Sequence, residues 1–324
     1  MLKAAIVGLG RWGRNLVESV QGKSELLRFT HAVVRRPEEA REFAARHGIE
    51  LLDGYERALA DPDVQAVVLT TPHTQHVGQI VAAAQAGKAV FCEKPLALTP
   101  AHAQRAIAAC RRAGVALGLG YNRRFWPSML ELQRIARSGE LGEILHLEGH
   151  FSNESTRRFY QGWRELETEA PGGGLTATGV HVLDSFIALA GPARRVHATL
   201  TARDPAPEPV DTLAVFLEFE NRASGVLCGV RSTAQFWRIH VFGSRGSAEA
   251  LEDTEVVVRV TDAPLRRIRM TPMDSLGVEL EASAAGAAAG APFPIPDGEM
   301  VAGAAAFEAI VTSRTNPSTR ETSL

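Results

Sequence analysis

The run Gly8-Leu9-Gly10-Arg11-Trp12-Gly13 stands between an apolar segment at residues 3–7 and a helix-period segment at residues 11–20. That placement constrains this chain more than any other feature of the sequence. A G-x-G-x-x-G turn that leaves a strand and opens a helix is the phosphate-binding fingerprint of a βαβ unit. The first glycine permits the tight turn, the second lets backbone N–H groups approach a pyrophosphate, and the third lets helix and strand pack closely. The helix N-terminus adds free donors and the positive end of the macrodipole. Dinucleotide binding is therefore expected here, with Gly8, Gly10, Arg11, Trp12 and Gly13 around the cofactor.

The surrounding pattern agrees. Further short apolar runs occur at residues 29–34, 49–52, 64–69, 89–92 and 115–119. Between them lie helix-spaced positions such as Ala40, Phe43 and Ala44, and Ile80, Ala83 and Ala84. Alternating β and α segments predict a parallel sheet covered on both faces, here a doubly wound one of order 3-2-1-4-5-6. The pattern changes after Tyr121. A helical segment at 131–137 is followed by alternating runs at 144–151, 195–201, 212–219, 225–232, 237–242 and 256–260. Short polar turns such as Glu220-Asn221-Arg222 join some of them, which predicts an antiparallel or mixed sheet. A helix is expected over 179–189 and another over 300–312, while 281–296 reads as a loop. The expected fold class is α/β: a dinucleotide-binding Rossmann domain over 1–121 and an α+β domain over 122–324, to which the resemblance described below assigns substrate binding and oligomerisation.

Composition excludes other classes. With 45% apolar and 22% charged residues, the chain of 324 residues is neither disordered nor fibrous. A net charge of −2 offers no basic field to nucleic acid or anionic lipid. Cys92, Cys110 and Cys228 form neither a disulfide framework nor a zinc spacing. His73 and His76 lack a third ligand, so no metal is expected. The first residues carry no signal-peptide pattern. These features predict a soluble cytoplasmic protein with a small-molecule partner.

Residues after the second strand bear on cofactor choice. An NAD site usually has an acidic side chain there for the ribose 2′-hydroxyl. This chain has Arg35-Arg36-Pro37-Glu38-Glu39. Two adjacent guanidinium groups suit a 2′-phosphate, so NADP is the preferred expectation over NAD. The alternative leaves both arginines in solvent, with Glu38 or Glu39 on the ribose. Two further segments, Thr70-Thr71-Pro72-His73-Thr74-Gln75-His76 and Phe91-Cys92-Glu93-Lys94-Pro95, end the fourth and fifth strands. Ligands of open parallel sheets bind at those carboxyl ends, which aims Lys94 at the site.

Together these residues, the run Gly120 to Phe125, Trp163-Arg164, and Gly172-Gly173-Gly174 through Gly179-Val180-His181 to Asp184 resemble the Gfo/Idh/MocA family of NAD(P)-dependent oxidoreductases. The resemblance covers roughly residues 3–250 and implies a Rossmann domain followed by an open, mostly antiparallel sheet. It implies oxidation or reduction of a secondary alcohol or ketone on a sugar, cyclitol or related polyol. Dimers or tetramers through the sheet face are implied as well. Thr71, Pro72, His76 and Glu93 fall at cofactor positions. Lys94 corresponds to the lysine near the reacting oxygen and His181 to the catalytic histidine. Asn122, Arg123, Arg124, Tyr160, Trp163, Arg164 and Thr178 fall near the substrate. The resemblance also places the long polar segment 153–171 over the pocket, and its arginines, Arg157, Arg158 and Arg164, suit an acidic substrate such as a uronate or a carboxylated cyclic diol.

One position departs from the family. The aspartate usual four residues before the histidine is replaced by Ala177. Asp184, three residues after His181 on the same helix face, is expected to orient the imidazole, with Thr176 and Thr178 as alternative hydroxyl partners. The departure leaves two other readings open: a cofactor-binding regulatory or scaffold protein without turnover, and a redox-neutral enzyme with tightly held NAD(P).

Overall fold

The computed structural model describes residues 1–154, 162–202 and 211–314. Met1–Phe125 and Met273–Val301 make one compact unit, and Trp126–Pro272 with Ala302–Leu324 make the other.

In the first unit the strands are β1 (Leu2–Val7), β2 (Leu27–Val33), β3 (Glu50–Leu52), β4 (Ala66–Leu69), β5 (Ala89–Glu93) and β6 (Leu117–Gly120). They are parallel and stand in the order β3-β2-β1-β4-β5-β6, as the pattern predicts. A central strand covered on both faces must be apolar throughout. Ala4 to Val7 of β1 and Ala66 to Leu69 of β4 are accordingly all buried. Helix α1 (Arg11–Val20) follows β1, and the helices His73–Gln85 and Pro100–Ala113 follow β4 and β5.

The reading of residues 281–296 as a loop holds for 290–296 and is corrected for 281–289. Ser275–Ala289 is a helix, started by the Asp274 carboxylate, which accepts from the N–H groups of Leu276 and Gly277, each at 3.2 Å. Gly290, at φ 69°, ends it. Leu280 and Ala284 on this helix join the core that contains Ile6, Leu16, Val17 and Phe29. A Cβ on Gly118 would lie 2.7 Å from Ser283 Oγ, so helix and β6 meet where one of them lacks a side chain. A face of Ala, Gly and Ser carries little hydrophobic periodicity, which is why pattern alone passes over it. The compact units thus differ from a single division after residue 121, because Met273–Val301 returns to the first unit.

The second unit is built on β7 (Ile144–Ser152), β8 (Ala193–Thr201), β9 (Thr212–Phe219), β10 (Ser224–Val230), β11 (Phe236–Gly243), β12 (Gly246–Leu251), β13 (Glu255–Val260) and β14 (Arg266–Arg269). Their order is β14-β13-β12-β11-β7-β10-β9-β8. Only β7 and β10 pair in parallel; the sheet is otherwise antiparallel. Burial alternates along β9 and β10, so one face is core and the other is half-exposed. The helix Val180–Ala190 sits on the core face. It is seated by glycine: a Cβ on Gly149 would lie 2.2 Å from Val182 Cγ1, and one on Gly225 3.1 Å from Phe186. β12 and β14 are absent from the sequence reading. Gly-Ser-Ala-Glu-Ala-Leu has little β-propensity, and Arg-Arg-Ile-Arg is a short, charged edge strand. The last described helix is Asp297–Arg314. Among the described residues no helix is long and apolar enough to cross a membrane.

Candidate active site

The site in the first unit begins where β1 ends. Gly8 N–H donates to Val33 O at 2.9 Å, and φ is 102°. A Cβ at Gly8 would lie 2.8 Å from Thr70 Oγ1, the hydroxyl that donates to Gly8 O at 2.6 Å. At Gly13 the space is smaller, since a Cβ would come within 2.0 Å of Gly8 O. Gly10 is different, because a Cβ there would meet nothing within 4 Å. Gly10 caps α1 with no side-chain bond, so the first N–H groups of the helix open toward that space. Two of the three glycines are thus required by the fold alone. The third faces room for a ligand, as a pyrophosphate cradle requires.

On the far side of this turn lie the arginines after β2. Arg35 and Arg36 are exposed and lead into a 3-10 turn, Pro37–Glu39. Arg36 Nη1 pairs with Glu39 Oε1 at 2.5 Å. Arg14 is a residue the sequence reading missed. Its Nε donates to Leu9 O at 3.2 Å and its Nη2 to Glu39 O at 2.8 Å. It joins the fingerprint turn to the segment after β2. Its position one residue past the third glycine is the only signal for it in the sequence.

The ends of β4 and β5 carry the next group. Thr71 Oγ1 donates to Gln79 Oε1 at 2.6 Å, and Pro72 stands at the N-cap of His73–Gln85. His76 is fully buried, with Nδ1 at 2.9 Å from Pro95 O and Nε2 at 3.1 Å from Thr71 O. The ring lies between the two strand ends, where the neutral imidazole donates to one of these carbonyls and only the imidazolium donates to both. Lys94 is half-buried, and its peptide bond to Pro95 is cis.

Glu93 is buried beside Lys94, whose N–H donates to Glu93 Oε2 at 3.2 Å. A Cβ on Gly120 would lie 2.7 Å from Glu93 Oε1, so the carboxyl rests directly on the β6 backbone. Burial pushes its pKa up to about 7, against pulls from the Trp12 indole, the Lys94 ammonium and the Lys94 N–H. Glu93 Oε1 and Trp12 Nε1 are buried and make no hydrogen bond of good geometry among the described residues, although the indole stands close enough to the carboxyl to draw its pKa down. Orphaned polar atoms beside a glycine-lined opening are what a polar ligand satisfies, and these residues fit a dinucleotide. Arg11 lies with its guanidinium 5.8 Å over the Trp12 ring.

The run after β6 is more structural than its charge suggests. Asn122 Nδ2 donates to Ser275 Oγ at 3.2 Å, and the buried Arg124 pairs with Glu299 Oε2 at 2.5 Å. Arg123 is half-buried between them in sequence.

The remaining predicted residues belong to the second unit. Arg157, Arg158 and Tyr160 lie outside the described residues. Arg164 stacks over Trp163 at 4.1 Å in a 3-10 turn, Gly162–Glu165. Leu175–Gly179 forms a π-helical turn that runs directly into Val180–Ala190. Such turns recur at functional sites. Ala177 stands in the middle of it. Thr176 Oγ1 donates to Pro171 O at 2.5 Å and Thr178 Oγ1 to Gly174 O at 2.8 Å, so both hydroxyl protons serve the turn itself. His181 and Asp184 are buried at 7% and 6% exposure. The His181 ring meets Phe151 edge-on at 6.0 Å.

Comparison with known proteins places this geometry. The profile described as an oxidoreductase family with an NAD-binding Rossmann fold matches residues 2–121. The profile of the GFO/IDH/MocA C-terminal domain matches residues 129–249. Trans-1,2-dihydrobenzene-1,2-diol dehydrogenase of Oryctolagus cuniculus is 30% identical over 242 residues, 72% of each chain. Inositol 2-dehydrogenase of Salmonella typhimurium is 37% identical over 162 residues, 48% of this chain and 47% of the relative. Among solved structures, the aldose-aldose oxidoreductase from Caulobacter crescentus complexed with glycerol superposes at a TM-score of 0.86, with 25% identity and 97% of both chains covered. Levoglucosan dehydrogenase in complex with NADH and levoglucosan shares the fold at a TM-score of 0.87, with 21% identity over 97% of both chains.

Gly13→Ala is expected to cost at least about 1–3 kcal/mol in urea unfolding, the scale of overpacking. Gly10→Ala should cost about 0.5–1 kcal/mol, the difference between Gly and Ala at an N-cap, with no added clash because a Cβ there meets nothing within 4 Å. By calorimetric titration it should still bind a dinucleotide at least ~10-fold more weakly, since its methyl fills ligand space. Equal losses of stability in the two variants would remove the distinction.

Glu93 gives a pH signature. A carboxyl raised from 4.5 to about 7 in the folded state binds its proton more tightly there than when unfolded. Its contribution is fully present below the unfolded value and is lost as pH rises through about 7. Glu93→Gln should therefore melt about 2–4 °C above the parent at a pH well beyond that value, the shift that ~1 kcal/mol produces in a domain of this size. The gap should close in mild acid. Parallel melting curves across the range would show that Glu93 is not buried as a titrating group.

Proposed function

The chain belongs to the Gfo/Idh/MocA family of oxidoreductases, and from that premise we propose an NADP(H)-preferring dehydrogenase acting on a secondary alcohol or ketone. A sugar, cyclitol or carboxylated cyclic diol is the proposed substrate class. The observation that carries this reading is the opening at Gly10, with Lys94 on a strand end of the same sheet. Relatives named for inositol and for a cyclic dihydrodiol support a ring carbon bearing a hydroxyl.

The bound nicotinamide cofactor supplies the hydride acceptor or donor. Everything else falls to the chain. Lys94 Nζ donates to the reacting oxygen and offsets the negative charge that builds there. His181 takes the hydroxyl proton on an imidazole nitrogen, the general-base role that histidine fills most often. Asp184, one turn along the same helix, orients that imidazole and balances its charge when protonated. Asn122, Arg123, Trp163 and Arg164 supply substrate contacts, the arginines for a carboxylate and the ring for a sugar face. At the other end of the cofactor, Arg35 and Arg36 receive a 2′-phosphate.

Cys92, Cys110 and Cys228 are free thiols, which suits a reducing cytoplasmic setting. The half-exposed face of the β7–β14 sheet carries Phe216 and Phe236 at 40% and 43% exposure. These rings support association of two or four copies through that face. Light scattering should give a multiple of 34.9 kDa, and a monomer mass would remove this element.

Ala177 favours one other reading, a protein that holds the cofactor without turnover. A panel of inositols, sugars and cyclic diols, mixed with NADP+ or NAD+ and followed by absorbance of the reduced cofactor, separates the two. Net reduction is expected, with the higher kcat/KM for NADP+. Lys94→Ala and His181→Ala should each lower turnover at least ~100-fold, the scale of a lost acid–base group. Cofactor binding without product would favour the non-catalytic reading. Product without net reduction would point to redox-neutral chemistry.

A further inference from the structure

The 3-10 turn Pro37–Glu39 is held from two sides by different parts of one residue. Glu39 O accepts from Arg14 Nη2 at 2.8 Å, and the Glu39 carboxylate pairs with Arg36 Nη1 at 2.5 Å. Arg14 is anchored in turn. Its Nε donates to Leu9 O, inside the fingerprint, at 3.2 Å, and its guanidinium lies 5.1 Å over the ring of Phe43, a core residue. A connected path therefore runs from the glycine turn through Arg14 and Glu39 to Arg36.

The path ends on a conflict of charge. Arg36 is one of the two arginines that follow β2, the strand end at which such sheets carry the side chain that meets the ribose, and its guanidinium already has an anionic partner. A 2′-phosphate must take Arg36 from Glu39 or lie beside a carboxylate of its own sign. An exposed ion pair is a weak competitor, and phosphate offers a guanidinium the stronger charge-assisted bonds. The phosphate prevails, but with less affinity than Arg36 alone would give. A ribose hydroxyl meets no such competition.

We propose that Glu39 sets the discrimination between NAD(H) and NADP(H) by occupying Arg36 when no 2′-phosphate is present, and that Arg14 is the positioning residue that holds Glu39 there. This rests on the dinucleotide reading of the site and deepens it. The arginine pair is the recognition element, and the carboxylate three residues on tempers it.

Two adenosine ligands test the assignment without nicotinamide, substrate or turnover: AMP, and adenosine 2′,5′-bisphosphate, which adds only the 2′-phosphate. Calorimetric titration of Glu39→Gln should show the bisphosphate bound about fivefold more tightly than by the parent, as expected when one surface charge beside a phosphate is removed. AMP should change by less than about twofold, because no 2′-phosphate is involved. Glu39→Asp, which keeps the charge, should hold the parent ratio of the two affinities. In the double variant Arg36→Gln/Glu39→Gln the gain should vanish, because it acts through Arg36.

Failure of both ligands to bind the parent protein would overturn the dinucleotide reading and this inference with it. Binding of both with an unchanged ratio in Glu39→Gln would overturn only the role of Glu39. So would a gain that survives in the double variant, or a loss of AMP affinity, which would make Glu39 a direct ribose contact.

Discussion

The contact between Gly13 and the carbonyl of Gly8 is the constraint on which the first unit depends. No side chain fits there, since a Cβ at Gly13 would approach that oxygen to 2.0 Å. α1 therefore starts hard against the end of β1, with its first N–H groups aimed past the strand. Neighbouring positions inherit that placement. Trp12 turns its indole toward Glu93, and Arg14, one residue on, reaches both Leu9 O and Glu39 O. A larger residue at 13 would displace the helix start and, with it, the groups at both ends of the cofactor position.

Much of this was legible from the sequence because glycine and strand periodicity report backbone geometry directly. The fingerprint, the strand order β3-β2-β1-β4-β5-β6 and the mixed second sheet all come from features that local chemistry enforces. What stayed hidden had no local signal. Ser275–Ala289 packs through Leu280, Ala284 and small residues, so its periodicity is faint and its return to the first unit is a tertiary event. β14 is an edge strand of three arginines and one isoleucine, which reads as a surface turn. Arg14 looks like any solvent-facing helix arginine until the chain brings Glu39 O to it.

Charged and polar residues near the strand ends divide into two kinds. His76 and Arg124 are buried and engaged with the fold: the first lies between Thr71 O and Pro95 O, the second pairs with Glu299. From sequence, both sit among cofactor or substrate contacts. Their geometry gives them a prior task, because a buried charge or imidazole must have its polar atoms satisfied. Glu93 and Trp12 are the other kind, each with a buried polar atom left unsatisfied. A site is preorganised when straps of the first kind hold groups of the second kind open to a ligand. The stability given up at Glu93 is consistent with that division.

Ala177 is best understood through the turn that contains it. A π-helical turn inserts an extra residue, so side chains before and after it do not keep ordinary helical register. The flanking hydroxyls of Thr176 and Thr178 are taken up by Pro171 O and Gly174 O, which leaves neither proton to substitute for a carboxylate. The helix that follows brings Asp184 onto the face of His181, and both are buried in the second unit. Under the proposed proton transfer His181 would become cationic in a buried setting, where desolvation disfavours the charged form. Position 177 is neutral, and Asp184 is the carboxylate carried by the helix itself, one turn after the histidine. The proposed electrostatic support would then come from after His181 rather than from before it.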